Sequence, residues 1–204
     1  MLAEASTRRR PPDAWLKPGV LLGALVPLAV TAGRAALGTL GANPVASALN
    51  QFGLLALLFL LASLAATPLK RAWGLTWPMR IRRMLGLISF FYASLHLLTY
   101  VLLDRLGELG TLLEDLAKRP FISVGALAFA LLVPLALTST RSAQKRMGFK
   151  SWQALHRLSY VAAGLAIVHF VWREKKDISE PLVYGALLAL LLGMRLLRAR
   201  SAGR

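Results

Sequence analysis

WQALHRLSYVAAGLAIVHFVW, running from Trp152 to Trp172, decides the fold. Its only charged residue is Arg157, near the start, and the rest is apolar, small or aromatic apart from Gln153 and two histidines, His156 and His169. A helix that crosses the ~30 Å hydrocarbon core of a bilayer needs ~20 mostly apolar residues, and this stretch has that length and character. Moving outward, runs of the same kind occupy Phe121–Thr138, Met84–Leu103, Val45–Ala66, Val20–Leu40 (interrupted by Arg34) and Pro181–Leu197. The expectation is an all-α protein, an integral membrane bundle of six transmembrane helices over residues 20–197. A cytoplasmic N-terminal segment, 1–19, and a cytoplasmic tail, 198–204, flank it.

Composition points the same way. Of 204 residues, 56% are hydrophobic and 17% charged, against ~45–50% and ~25% for an average soluble domain, which argues against a water-soluble globule. There is no cysteine, so an iron–sulfur cluster, a disulfide, a cysteine-containing zinc site and a covalently attached haem are all excluded. No GxGxxG or GxxxxGK[ST] stretch occurs, so no nucleotide-binding fold is encoded by these motifs and the chain must draw its reductant or substrate from something else.

Lys and Arg number 25 against 9 Asp and Glu, a formal charge of +16. On a soluble protein that excess would suggest nucleic acid. An even number of spans puts both termini on one side, and the charges then sort by compartment. Eighteen basic residues, from Arg8 to Arg204, fall on the terminal side, opposed there only by Glu4 and Asp13, while the other side is close to neutral. Lys and Arg resist translocation, so the terminal side is expected to be cytoplasmic, and the charge explains topology with no nucleic acid partner. Arg8–Arg10 ahead of an apolar run could mark a secretion signal, but Val20–Gly33 has no clear A-x-A cleavage site, so a retained first span is expected.

All three histidines, His96, His156 and His169, fall in the third and fifth spans. An ionisable side chain in hydrocarbon is costly and usually faces the bundle interior with a partner, and neutral imidazole is a common iron ligand. Hydrogen bonding across helices is the plainer explanation for a lone histidine; three on two helices favour metal or haem ligation. Zinc or di-iron would call for clustered carboxylates, which these two spans lack. Haem needs one or two axial imidazoles and otherwise apolar packing, so a non-covalently held b-type haem follows.

Depth suggests the pairing. At 1.5 Å per residue, His96 lies ~12 Å from the outer end of its span, His169 ~6 Å and His156 ~25 Å. His96 and His169 are therefore the expected bis-histidine pair, with His96 and His156 as the alternative. The counterpart of His156 on the third span falls at Arg82 and Arg83, which either pair with the propionates of a second haem that has His156 as its only protein imidazole, or simply anchor the helix by the positive-inside rule. Arg34 either binds a propionate or quinone oxygen or snorkels outward. Trp73, Trp77, Tyr100, Trp152 and Trp172 read as an interfacial aromatic belt.

The stretches YASLHLLTY (Tyr92–Tyr100), KRPFISVGALAF (Lys118–Phe129), PLALTST (Pro134–Thr140) and WQALHRLSYVAAGLAIVHF (Trp152–Phe170) resemble the MsrQ family, the haem-binding membrane subunits of the bacterial periplasmic methionine sulfoxide reductase system. A more distant resemblance is to the membrane domain of ferric reductases and NADPH oxidases, which carry two histidines on each of two helices. Here Arg82 and Arg83 stand where the fourth histidine would be. The resemblance implies a multi-pass protein of the bacterial inner membrane with haem b and FMN as cofactors and His96, His156 and His169 as haem ligands. It also implies electrons drawn from the quinone pool or a cytoplasmic flavin reductase and passed to a periplasmic molybdenum-containing catalytic subunit. An autonomous ferric reductase and a small non-haem membrane transporter are the competing expectations.

Overall fold

The protein is described here by a computed structural model that covers residues 15–174 and 176–201, the side chains of 196–201 excepted. Most of the expected segment 1–19, including Arg8–Arg10, lies outside the described residues, as do the side chains of the tail. The described residues are helical throughout, with short connections and no strand. Residues up to Thr39 form one compact unit and those from Leu40 onward a second.

The first unit contains α1 (Leu16–Ala36). Pro27 sits inside it, and the hydroxyl of Thr31 donates to the Pro27 carbonyl at 2.7 Å. Arg34 turns back on its own chain, its Nη2 donating to the Thr39 carbonyl at 3.0 Å. That bond uses the guanidinium to cap the carbonyl end of the segment.

In the second unit α2 (Pro44–Trp73) starts at an Asn43 cap whose side chain accepts from the Ala46 amide at 2.9 Å, with Pro44 in the first turn where its missing N–H costs nothing. It ends at Gly74, whose φ of 70° requires the left-handed conformation that glycine tolerates. α3 (Trp77–Leu98) follows after three residues and widens into a π-helical stretch over Thr99–Asp104. The basic Lys70–Arg83 region between the second and third spans is thus mostly helix, since α2 and α3 carry its basic residues up to a connection of three residues. Leu106 (φ 52°) and Gly107 (φ 76°) then reverse the chain into α4 (Leu109–Lys118). Its LGTLLEDLAK pattern is too short and too polar to span, but it is amphipathic.

α5 (Pro120–Leu137) is followed by the short α6 (Arg141–Met147) and by α7 (Phe149–His156), α8 (Leu158–Arg173) and α9 (Ser179–Ser201). The fifth expected span is therefore jointed at Arg157, immediately after His156. Among the described residues five stretches are long and apolar enough to cross a membrane: Leu16–Ala36, Pro44–Trp73, Trp77–Asp104, Pro120–Leu137 and Phe149–Arg173. The sixth expected span is present as the helix α9 but is not among these five.

α2 pairs along α3 and α5 along α8, the two most extensive helix contacts. Between them lies a core of Leu57, Leu60, Leu61, Leu64, Leu132, Ala162 and Ala163, closed by Leu188 and Leu191 of α9. Ala162 and Ala163 bring backbones close, the usual means of packing helices where lipid removes the hydrophobic drive. Polar bonds join α2 to α3: Ser89 Oγ donates to the Ala56 carbonyl at 2.7 Å and Ser63 Oγ to the Arg82 carbonyl at 3.1 Å. Tyr92 is wholly buried and stacks on Phe59 at 5.7 Å.

Candidate functional site

Two of the three histidines meet. His96 near the end of α3 and His169 near the end of α8 face one another with ring centres 6.1 Å apart and planes at 85°. His96 Nδ1 lies 2.9 Å from the Leu49 carbonyl of α2, and His169 Nδ1 lies 2.7 Å from the Phe121 carbonyl of α5. A carbonyl can only accept, so in both rings Nδ1 carries the hydrogen and Nε2 keeps its lone pair. This is the arrangement of a metal-ligating imidazole, oriented through its second nitrogen by a backbone carbonyl.

The spacing suits a shared metal. With metal–imidazole bonds of ~2 Å each, two axial rings on one iron need centres roughly 6 Å apart. Among the described residues no group of three or more His, Asp or Glu side chains comes together that could hold a metal ion, so the donor set is a pair of imidazoles in an apolar bundle. That set fits a haem held by two axial nitrogens and does not match a carboxylate-rich centre.

The outer rim adds charge. Arg173, four residues beyond His169, donates from Nη1 to Asn50 Oδ1 of α2 and from Nη2 to Glu174 at 2.9 Å. Its charge is close enough to act on both paired imidazoles. The sequence alone assigned Arg173 no part in the site; its place one helical turn from His169 was the available signal.

His156 stands elsewhere. Thirteen residues separate it from His169, ~20 Å along a helix. Its Nε2 lies 3.1 Å from Thr138 Oγ1, and Trp152 stacks on its ring with centres 4.0 Å apart. The Thr138 hydroxyl donates to the Pro134 carbonyl at 2.6 Å, so it accepts from His156 and leaves the lone pair on Nδ1. Trp152 also donates its indole N–H to the Thr138 carbonyl at 3.0 Å. Trp152 thus joins a polar cluster with His156 and Thr138.

His156, Arg82 and Arg83 line one cavity of about 250 Å³ together with Ser63, Ser139 and Trp152. The expected neighbourhood of His156 with the two arginines is therefore present. The cavity wall is mainly apolar, and the two guanidiniums, the imidazole and the hydroxyls of Ser63, Ser139 and Ser159 are its polar groups. Arg195 of α9 adds a third guanidinium nearby, 4.9 Å from the Tyr160 ring and within electrostatic reach of Arg82.

Comparison with known proteins defines the class first. The family described as "Ferric reductase like transmembrane component" matches residues 47–167, which cover most of both helix pairs and include His96 and His156. More specifically, the chain is 48% identical to a protein-methionine-sulfoxide reductase heme-binding subunit MsrQ of Rhodospirillum rubrum, over 91% of this chain and 90% of that one. The relative of the same name in Deinococcus radiodurans is 49% identical over 90% of this chain and 91% of its own. A third, in Herminiimonas arsenicoxydans, is 45% identical over 91% and 86%. The chain belongs to the MsrQ family, and it is a multi-pass membrane protein.

Proposed function

We propose that the protein is a membrane haem b electron-transfer subunit. It carries electrons from the quinone pool or a cytoplasmic flavin reductase to a periplasmic, molybdenum-containing methionine sulfoxide reductase, and so supports repair of oxidised periplasmic proteins. The single observation that carries this reading is the facing pair His96 and His169, each with Nδ1 committed to a carbonyl and Nε2 free. The names of the relatives, heme-binding subunits of a protein-methionine-sulfoxide reductase, support it.

Haem b, when bound, supplies a one-electron iron couple inside the bilayer. The chain's residues do the rest. Leu49 and Phe121 hold the imidazoles in one tautomer through their carbonyls, the Leu-rich core excludes water, and Arg173 places positive charge at the outer rim for carboxylate groups. At the other end His156, Arg82 and Arg83 form the receiving side, where the guanidiniums suit the phosphate of FMN and the cavity walls suit its ring. The charge distribution supports a bacterial inner-membrane orientation with both termini cytoplasmic, α9 completing six spans, and the paired histidines nearer the periplasm. Chemistry on the sulfoxide belongs to the partner, with which this chain forms a heterodimer.

Pyridine haemochrome per polypeptide, combined with a redox titration, tests the reading. The expected result is a Soret band from bound haem, lost or altered in His96→Ala and in His169→Ala. The reduced protein should be reoxidised by the periplasmic subunit and not by a ferric chelate. A colourless polypeptide after growth with ample haem precursor overturns the electron-transfer account and favours a transporter; reoxidation by the chelate alone favours an autonomous ferric reductase.

A further inference from the structure

Each paired histidine leans on a glycine. A Cβ built on Gly53 of α2 would lie 3.0 Å from His96 Nδ1 and 3.2 Å from its Cε1. A Cβ built on Gly125 of α5 would lie 2.7 Å from His169 Nδ1 and 2.9 Å from its Cε1. The second pair of distances is closer than real Cβ atoms come to other heavy atoms, and the first is at that limit.

The glycines also stand in the same register to the carbonyls that orient the rings. Gly53 follows Leu49 by four residues, and Gly125 follows Phe121 by four. In an α-helix the amide of residue i+4 donates to the carbonyl of residue i. Each carbonyl therefore serves two donors, its own helical amide and an imidazole from the next helix. The second donor can reach it only along the groove beside that amide, which a side chain on residue i+4 would fill. The device is built twice, once where α2 packs on α3 and once where α5 packs on α8.

We propose that Gly53 and Gly125 are positioning residues for the axial imidazoles: by omitting a Cβ, each opens a helix groove through which His96 or His169 reaches the Leu49 or Phe121 carbonyl. Neither glycine touches the iron. They act through the orientation and tautomer of its ligands, and loss of such outer partners typically costs 10–100-fold in metal affinity. The inference rests on the haem reading above.

The test compares Gly53→Ala and Gly125→Ala with Gly164→Ala, whose Cβ would meet nothing within 4 Å although it lies on the same helix as His169. Alanine is the better helix former, so none of the three should weaken its own helix. Haem content, the low-spin electron paramagnetic resonance signature and the midpoint potential are measured on each full-length protein in detergent. Gly125→Ala should lose haem affinity by ~10–100-fold or shift the remaining haem to high spin, and Gly53→Ala should change the signature and the potential more mildly. Gly164→Ala should match the wild type. Where Gly125→Ala does not accumulate, Gly53→Ala decides. Wild-type signature and potential in the Gly53 and Gly125 variants overturn the positioning role while leaving the haem reading intact, whereas a wild type without haem overturns the reading itself.

Discussion

His96 and His169 stand edge to face, their ring planes 85° apart. Neither ring can rotate toward a parallel arrangement without breaking its bond to Leu49 or Phe121. Near-perpendicular axial imidazoles give a low-spin ferric haem a highly anisotropic electron paramagnetic resonance spectrum. The expected spectrum of the oxidised protein is therefore of that type, and the rhombic signal of parallel imidazoles would show that the rings rotate on loading.

His156 belongs to the Thr138–Trp152 cluster and not to the facing pair. His156→Ala should leave the low-spin signature in place and weaken the ligand of the cavity it lines. One hydrogen bond with the accompanying ring contact contributes ~1–2 kcal/mol, about tenfold in affinity. Fluorescence titration with FMN reads this directly; loss of the low-spin signature in the same variant would favour the alternative pairing of His96 with His156.

The reversal after α3 is tied down at Asp115. Its Oδ2 accepts from the Tyr100 hydroxyl at 2.5 Å and pairs with Arg105 Nε at 2.8 Å, and its Oδ1 pairs with Arg119 Nε at 2.9 Å. Asp115 and Arg105 side chains are 7% and 21% exposed, while that of Arg119 is 48% exposed. Asp115→Asn should cost roughly 1–2 kcal/mol, because Arg105 loses its nearer carboxylate and keeps only Asp104, at 3.3 Å. Arg119→Ala should cost under ~1 kcal/mol, the usual worth of an exposed pair. Denaturant unfolding in detergent, with hydrogen exchange over Leu109–Lys118, measures both.

The start of α9 is pH-sensitive. The Ser179 side chain, and then its backbone amide at 2.9 Å from Asp177 Oδ1, hold the exposed Asp177 carboxyl below the usual aspartate range. A depressed folded-state pKa means that this capping contribution is present in full above the ordinary aspartate value and lost as pH falls through the lower, folded value. Amide exchange at Ser179, Glu180 and Leu182, corrected for the intrinsic rate, should therefore accelerate on acidification below that range. Asp177→Asn keeps a capping side chain and should abolish the pH dependence.

Much of the fold was legible because lipid imposes a simple rule: spans must be long, apolar and helical. The positions of the long helices and the juxtaposition of His156 with Arg82 and Arg83 followed from that rule and from counting 1.5 Å steps. The same counting placed His96 and His169 at neighbouring depths, and the structure brings their rings together. Other features were hidden for physical reasons. The joint at Arg157 separates α7 from α8 inside what reads as one span, because a single arginine near the end of a span is ordinary in a membrane helix and does not by itself mark a break. α4 is too short to register as a span. Trp152 and Tyr100 share the composition and location of belt aromatics, yet their partners, Thr138 and Asp115, come from distant turns. Gly53 and Gly125 were the least visible, since glycine is frequent in membrane helices and only the neighbouring helix reveals which one must lack a side chain.

Each imidazole is held by the helix it packs against within its own pair, α2 with α3 or α5 with α8, and neither is held by the opposite pair. The twist between the two rings thus records the angle at which one pair leans on the other across Leu57, Leu61, Leu132 and Ala163. A change of volume in that seam would tilt one half against the other, so residues remote from the two imidazoles become levers on the angle between their planes.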